Sequence, residues 1–171
     1  EQSYPTSYIP TAGATVTRSA DVASLVNLQS NNTLAANSGT LFIHLKNLKF
    51  NILGTNLASI IMDDGLFYRN SLGFSSESNG DIRVSKYTSS SQSNIDSIPL
   101  LDELKIGISY DSSTIIIYVN GVLSLNTSNL SSAYTRLILN NASRETKYYI
   151  PKLEVYNTAL TSSELATLTT L

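Results

Sequence analysis

Residues 103–124 constrain the fold more than any other part of the chain. In Glu103-Leu104-Lys105-Ile106-Gly107-Ile108-Ser109-Tyr110 the apolar residues Leu104, Ile106, Ile108 and Tyr110 recur at every second position, which puts them on one face of an extended strand. Asp111-Ser112-Ser113 supplies short polar side chains that turn a chain by bonding to their own backbone. Thr114 to Val119 returns, rich in β-branched residues that suit a pleated surface. Asn120-Gly121 then tolerates the two positive φ angles of a type I′ turn and leads into Val122-Leu123-Ser124. The segment predicts a meander of three antiparallel strands.

The same grammar extends outward. Thr40 to Leu45 alternates, with Leu41, Ile43 and Leu45 on one face and Phe42 and His44 on the other. Leu57 to Met62 reads as a buried run closed by a tight turn at Asp63-Asp64-Gly65. Gly73-Phe74-Ser75 is a weaker strand, and Asn79-Gly80 marks a turn before Asp81-Ile82-Arg83-Val84. Arg136 to Leu139 and Tyr148 to Tyr156 also fit strands. One short helix of about two turns is expected at the end of the chain: Thr161-Ser162-Ser163-Glu164 is a capping box, and Leu165, Leu168 and Leu171 give it an apolar stripe. It is expected to lie against one end of the molecule. Residues 1–24, punctuated by Pro5, Pro10 and Gly13, read as a linker leading in from a preceding module, with an edge strand at Thr15 to Arg18. Many short strands with turn signals between them, and no alternation with long helices, predict an all-β antiparallel sandwich of two sheets over residues 25–171.

Composition narrows the function. The 171 residues suit one domain, and 42% hydrophobic residues suffice for a core. Only 14% are charged and the net charge is −2, so no basic excess is available for phosphates and no nucleic-acid partner is expected. The longest apolar runs have strand length, so no transmembrane helix is expected. The absence of cysteine excludes disulfides and thiolate metal sites, and a single histidine argues against zinc or copper. The first residues, Glu1-Gln2-Ser3-Tyr4-Pro5, contain neither an initiator Met nor a signal peptide, and the chain reads as a processed product or a piece of something longer.

Three stretches resemble known families. Ile108-Ser109-Tyr110-Asp111 with Ile117-Tyr118-Val119-Asn120-Gly121-Val122, and Leu153-Glu154-Val155-Tyr156-Asn157-Thr158-Ala159-Leu160-Thr161-Ser162-Ser163-Glu164-Leu165, resemble the strand–turn–strand and closing motifs of concanavalin A-like (laminin G-like) domains. The resemblance implies a jelly-roll sandwich with a short C-terminal helix. Tyr4 to Asp21, with Ser7-Tyr8-Ile9-Pro10-Thr11 and Val16-Thr17-Arg18 at its centre, is similar to a junction between modules of bacteriophage tail fibre and other virion-surface proteins. This implies a place on a virion surface, other virion proteins as neighbours, and a bacterial surface glycan as ligand. Two alternatives stay open: a decorating or spacer domain that contacts other virion proteins or itself in a homotrimer, and a secreted or cell-surface bacterial adhesin module.

Catalysis is not expected. Glycosidases of this fold carry E-x-D-x-x-E on one strand, which aims two carboxylates into one cleft. Here Asp102-Glu103 are adjacent, Asp63-Asp64 fall in a turn, and Glu154 stands alone on its strand. His44 sits mid-strand among Leu and Phe, with no nucleophile motif. Calcium is the one metal with candidate ligands, Asp63, Asp64 and Asp81 with Asn79, if their two loops meet at a rim; the alternative is that these residues are there as turn formers. For a sugar, Asp64, Tyr68, Arg69, Asn70 and Tyr87 are the candidate patch, because tyrosine is the dominant aromatic at ten residues and Asp, Asn and Arg hydrogen-bond hydroxyls. The competing role for the tyrosines is packing, which is the expected one for Tyr110, Tyr118 and Tyr156.

Overall fold

The computed structural model describes residues 24–25, 38–50, 60–64, 71–77, 79–87, 92–128, 134–139 and 146–171. Their strands, in chain order, are β1 (Ser24–Leu25), β2 (Gly39–Phe50), β3 (Ile60–Asp63), β4 (Ser71–Ser76), β5 (Ile82–Tyr87), β6 (Gln92–Ile98), β7 (Glu103–Tyr110), β8 (Thr114–Val119), β9 (Val122–Ser128), β10 (Arg136–Ile138) and β11 (Thr146–Tyr156). They form two antiparallel sheets: sheet A, in the order β1-β10-β3-β4-β5-β6, and sheet B, in the order β11-β2-β7-β8-β9. The all-β sandwich expected from the sequence is the fold. The expected edge strand at Thr15 to Arg18 lies outside the described residues.

The core lies between the sheets, built from alternate residues of each strand. Sheet A contributes Ile60, Met62, Leu72, Phe74, Ile82, Val84, Ile98 and Leu137. Sheet B contributes Leu41, Ile43, Leu45, Leu104, Ile106, Ile108, Tyr110, Ile115, Ile117, Val119 and Leu125. Each such side chain contributes about 1.5–3 kcal/mol by leaving water. Tyr110 packs edge-to-face on Tyr134 at 4.9 Å between centroids, and burial pushes the Tyr110 hydroxyl up to about 12.

Turn chemistry sets the register. Asn120 and Gly121 have φ of 50° and 82°, both positive as a type I′ turn requires. At the β7–β8 turn, Asp111 Oδ1 accepts from the backbone N–H groups of Ser113 and Thr114, at 2.7 Å each. The register shift between Ile117 and Tyr118 puts a bulge in edge strand β9 at Ser124. The polar strand β6, Gln92–Ile98, lacks an apolar pattern and was not expected; it is held by pairing with β5.

Helix α1 (Ser162–Thr169) has the anticipated capping box, with the Glu164 N–H donating to Thr161 Oγ1 and the Thr161 N–H donating to Glu164 Oε2. Its location corrects the expectation: α1 lies on the outer face of sheet B, against β7 and β8, not at an end of the sandwich. The seat is Gly107, where a Cβ would come within 2.9 Å of the side chains of Leu165 and Thr169. Leu165 is fully buried there, Leu168 is half-buried, and Leu171 is exposed beyond the last turn.

Candidate functional site

Strand alternation gives sheet A a second face, pointing away from the core, and this face is polar. Its rows follow from the register. Arg136 is opposite Asp63; Asp63 follows Met62, the partner of Leu72, and so falls beside Ser71, and Ser71 is opposite Tyr87. Further along the strands, Gly73 is opposite Ser85, and Ser75 is opposite Arg83, which in turn is opposite Ser97. None of these residues belongs to the core cluster.

Two charge-paired stations mark the ends of this face. At one, Arg136 Nε and Nη2 donate to the two oxygens of Asp63 at 2.9 and 2.7 Å, a bidentate pair whose carboxylate is wholly buried and whose guanidinium is partly exposed. The bond to Asp63 raises the Arg136 pKa above its ordinary value. At the other end, Arg83 Nε donates to Glu77 Oε1 at 3.2 Å and Ser97 Oγ donates to Glu77 Oε2 at 2.9 Å. The Ser97 bond, then that of Arg83, holds the Glu77 carboxyl below its usual range. Glu77 and Arg83 are partly exposed and Ser97 is exposed. Between the stations Ser71, Ser75 and Ser85 are shielded from solvent, and the hydroxyls of Ser71 and Ser75 have no hydrogen-bond partner.

The structure divides the residues anticipated for a site. Tyr68, Arg69 and Asn70 lie outside the described residues. Asp64 is half-buried beside the Asp63–Arg136 station, where its charge acts on Arg136 and Tyr134. Tyr87 is a correction: its ring is only 5% exposed, and burial raises its hydroxyl pKa, so it packs and presents no stacking surface. The calcium grouping is corrected as well. Asp63 ends β3 beside the first residue of β4, whereas Asp81 adjoins Ile82, the partner of the last residue of β4. The two are about six strand residues apart along the sheet, roughly 20 Å. Asp63 is not a turn residue; it completes β3 and chelates Arg136. Asp81 is in the turn, bonded to Asn79 through Asn79 Nδ2 at 2.8 Å. Among the described residues no group of three or more His, Asp or Glu is placed to hold a metal.

Sequence reasoning missed the stations because each joins residues from different strands. Asp63 and Arg136 are 73 positions apart, and only the β3–β10 register brings them together. Glu77 and Arg83 were within reach: a carboxylate and a guanidinium flanking the Asn79-Gly80 turn face each other once the strands pair.

Elsewhere, His44 Nε2 lies 2.7 Å from Glu103 Oε1 on the outer face of sheet B, beside Lys46, in an ion-pair cluster with no nucleophile in it. A cleft of about 290 Å³ opens where the 99–102 crossover meets the β8–β9 hairpin, floored by Ile98, Pro99, Val119 and Val122. Leu101, Val122 and Leu123, which line it, are exposed.

No family model matches the chain, and no curated protein matches it in sequence. Solved structures do match by shape. Domain 4 of an extracellular arabinanase from Geobacillus stearothermophilus, solved with arabinotriose, aligns with a TM-score of 0.56 at 19% identity, over 78% of this chain and 66% of that one. Trypanosoma rangeli sialidase aligns at 0.60 and 17% identity, over 79% of this chain but 23% of the enzyme. The CBM40 module of a Ruminococcus gnavus sialidase, solved with α2,3-sialyllactose, aligns at 0.57 and 11% identity, over 83% and 86%. The chain spans just under two thirds of the arabinanase domain and about a quarter of the sialidase. At these identities the likeness is one of fold, the β-sandwich.

Proposed function

We propose that this chain is a non-catalytic carbohydrate-binding module that meets its glycan at the exposed Glu77–Arg83–Ser97 end of the outer face of sheet A. The observation that carries the reading is the Glu77–Arg83–Ser97 station, whose three side chains reach solvent at that end. It fixes donors and acceptors in the arrangement that reads sugar hydroxyls. Several similar structures are sugar-bound modules, which supports this reading. The N-terminal resemblance to virion proteins supports a bacterial surface polysaccharide as ligand and a phage tail-fibre setting, with a secreted or cell-surface adhesin as the alternative setting. Asp64, with Tyr68, Arg69 and Asn70, remains a proposed second contact.

The test is a binding screen of the purified chain against bacterial polysaccharides, with calcium and with a chelator. Specific binding is expected, weakened at least about tenfold by Arg83→Ala in a variant shown to be folded by its thermal transition. Chelation is expected to change nothing, because the proposed calcium ligands are separated across the sheet. Absence of binding to every polysaccharide would overturn the proposal.

A second reading has its own observation. The exposed Leu101, Val122 and Leu123 line an apolar cleft of the kind that protein partners cover, which favours a structural domain packing on other virion proteins or on itself in a homotrimer.

A further inference from the structure

We infer that a second copy of this chain joins along the edge of β9, related to the first by a two-fold axis; this rests on the second reading above, of a domain that packs on itself, and names the surface. Among the described residues four strands are outermost in their sheets: β1 and β6 in sheet A, β11 and β9 in sheet B. An outermost strand offers unpaired N–H and C=O groups, and chains that stay apart blunt it with shortness, proline, charge or bulges. β1 is two residues long. β6 contains Asp96 and shifts register against β5 between Val84 and Ser85. β11 contains Pro151, Lys152 and Glu154 and shifts register twice against β2. β9, Val122-Leu123-Ser124-Leu125-Asn126-Thr127-Ser128, has neither charge nor proline, and its bulge at Ser124 lies beyond its first two residues.

The surface at this edge complements itself. Val122 and Leu123 are 69% and 48% exposed and border the cleft of about 290 Å³, whose lining includes Pro99, Leu101 and Val119 and no charged residue. Leu123 is opposite Tyr118, one step beyond the Val119–Val122 pair that closes the Asn120-Gly121 turn. Hydrogen-bonded and non-bonded pairs alternate along an antiparallel ladder, so Leu123 turns its N–H and C=O away from β8. A two-fold axis beside Leu123 lets each copy's Leu123 N–H donate to the other's carbonyl, with the two clefts side by side and Val122 and Leu123 covered by apolar lining. No like charges meet at the axis. Lys86, whose Nζ donates to the Ser128 carbonyl at 3.1 Å, stands at the far end of β9, where the two-fold keeps its two copies apart.

The experiment is sedimentation of the intact chain over about 1 to 100 μM, in which a reversible dimer is expected. Leu123→Lys, checked for an unchanged thermal transition, puts a charge at the axis, where the two-fold doubles it. It is expected to weaken the dimer at least about tenfold. Tyr149→Lys makes the same kind of change at an exposed position of the opposite edge strand, β11, and is expected to leave the dimer intact. The amides around Leu123 are expected to exchange with solvent more slowly in the dimer than in the Leu123→Lys monomer. A chain that stays monomeric at about 100 μM would overturn the inference and leave other virion proteins as partners of the cleft. A trimer, or a dimer that Leu123→Lys leaves intact, would overturn it and keep the self-packing reading. A dimer whose Leu123 amide exchanges as fast as in the monomer would overturn the strand pairing.

Discussion

The sandwich has two outer faces, and they are finished in different ways. On sheet B, helix α1 lies across β7 and β8, and Leu165 enters a seat opened by the missing side chain of Gly107. The Thr169 hydroxyl accepts from the Gly121 N–H, Lys105 Nζ donates to the Thr170 carbonyl, and Ser109 Oγ donates to the Leu160 carbonyl. On sheet A the strands keep their alternation but put serine and charge-paired residues where sheet B has an apolar contact. The first arrangement is that of a face closed for stability. The second spends burial on polar groups that add little to stability once their desolvation is counted. The difference teaches where to look for function: polar groups held in fixed geometry at a cost have a reason other than packing.

Arg136→Ala is the sharpest way to break that comparison. It leaves the Asp63 carboxylate, wholly buried, without its bidentate partner. A loss of about 4 kcal/mol is expected, read from urea unfolding. A loss under about 1 kcal/mol would mean that the station is not a fixed element of the face.

Leu165→Ala probes the opposite face. It empties the seat beneath α1, with an expected loss of about 3 kcal/mol. Polysaccharide binding at sheet A should be untouched, and a parallel loss of affinity would show that the two faces are coupled.

The smallest effect belongs to the β7–β8 turn. The Asp111 carboxyl is held down to about 2, first by the Ser113 backbone N–H, then by the Ser113 hydroxyl and the Thr114 N–H. A depressed folded-state pKa contributes stability above the ordinary carboxylate value and loses it as pH falls toward the folded value. Asp111→Asn should therefore lower the melting temperature slightly near neutral pH, and the gap from the parent chain should close between about pH 4 and pH 2. A gap independent of pH would assign the effect to turn geometry alone.

Much of sheet B was legible in the sequence. The strand Glu103–Tyr110, the return Thr114–Val119, the Asn120-Gly121 turn and the Thr161–Glu164 cap all follow from local spacing, because their partners are a few residues away. Sheet A was legible only in part. Its strand β6 carries no apolar alternation, and Asp63 reads as a turn residue until the register of β10 supplies Arg136. Helix α1 was foreseen but misplaced, since nothing local shows that Gly107, more than fifty positions earlier, is its seat. Pairwise pattern reveals strands; it does not reveal which distant strand stands beside which, and the candidate site is made of such neighbours.

The pairing of β2 with β11 bears on the order in which the molecule is made. Strand β2 sits between β7 and β11, with Thr40 opposite Tyr156 and the Thr40 hydroxyl donating to the Thr158 carbonyl at 2.9 Å. As the chain leaves the ribosome, residues 39–50 emerge about a hundred positions before their outer neighbour. Until β11 arrives, β2 presents an open hydrogen-bonding edge, the kind of surface on which nascent chains pair with one another. A chain cut short before residue 146 would keep that edge for good, and its fate in the cell should be aggregation or proteolysis.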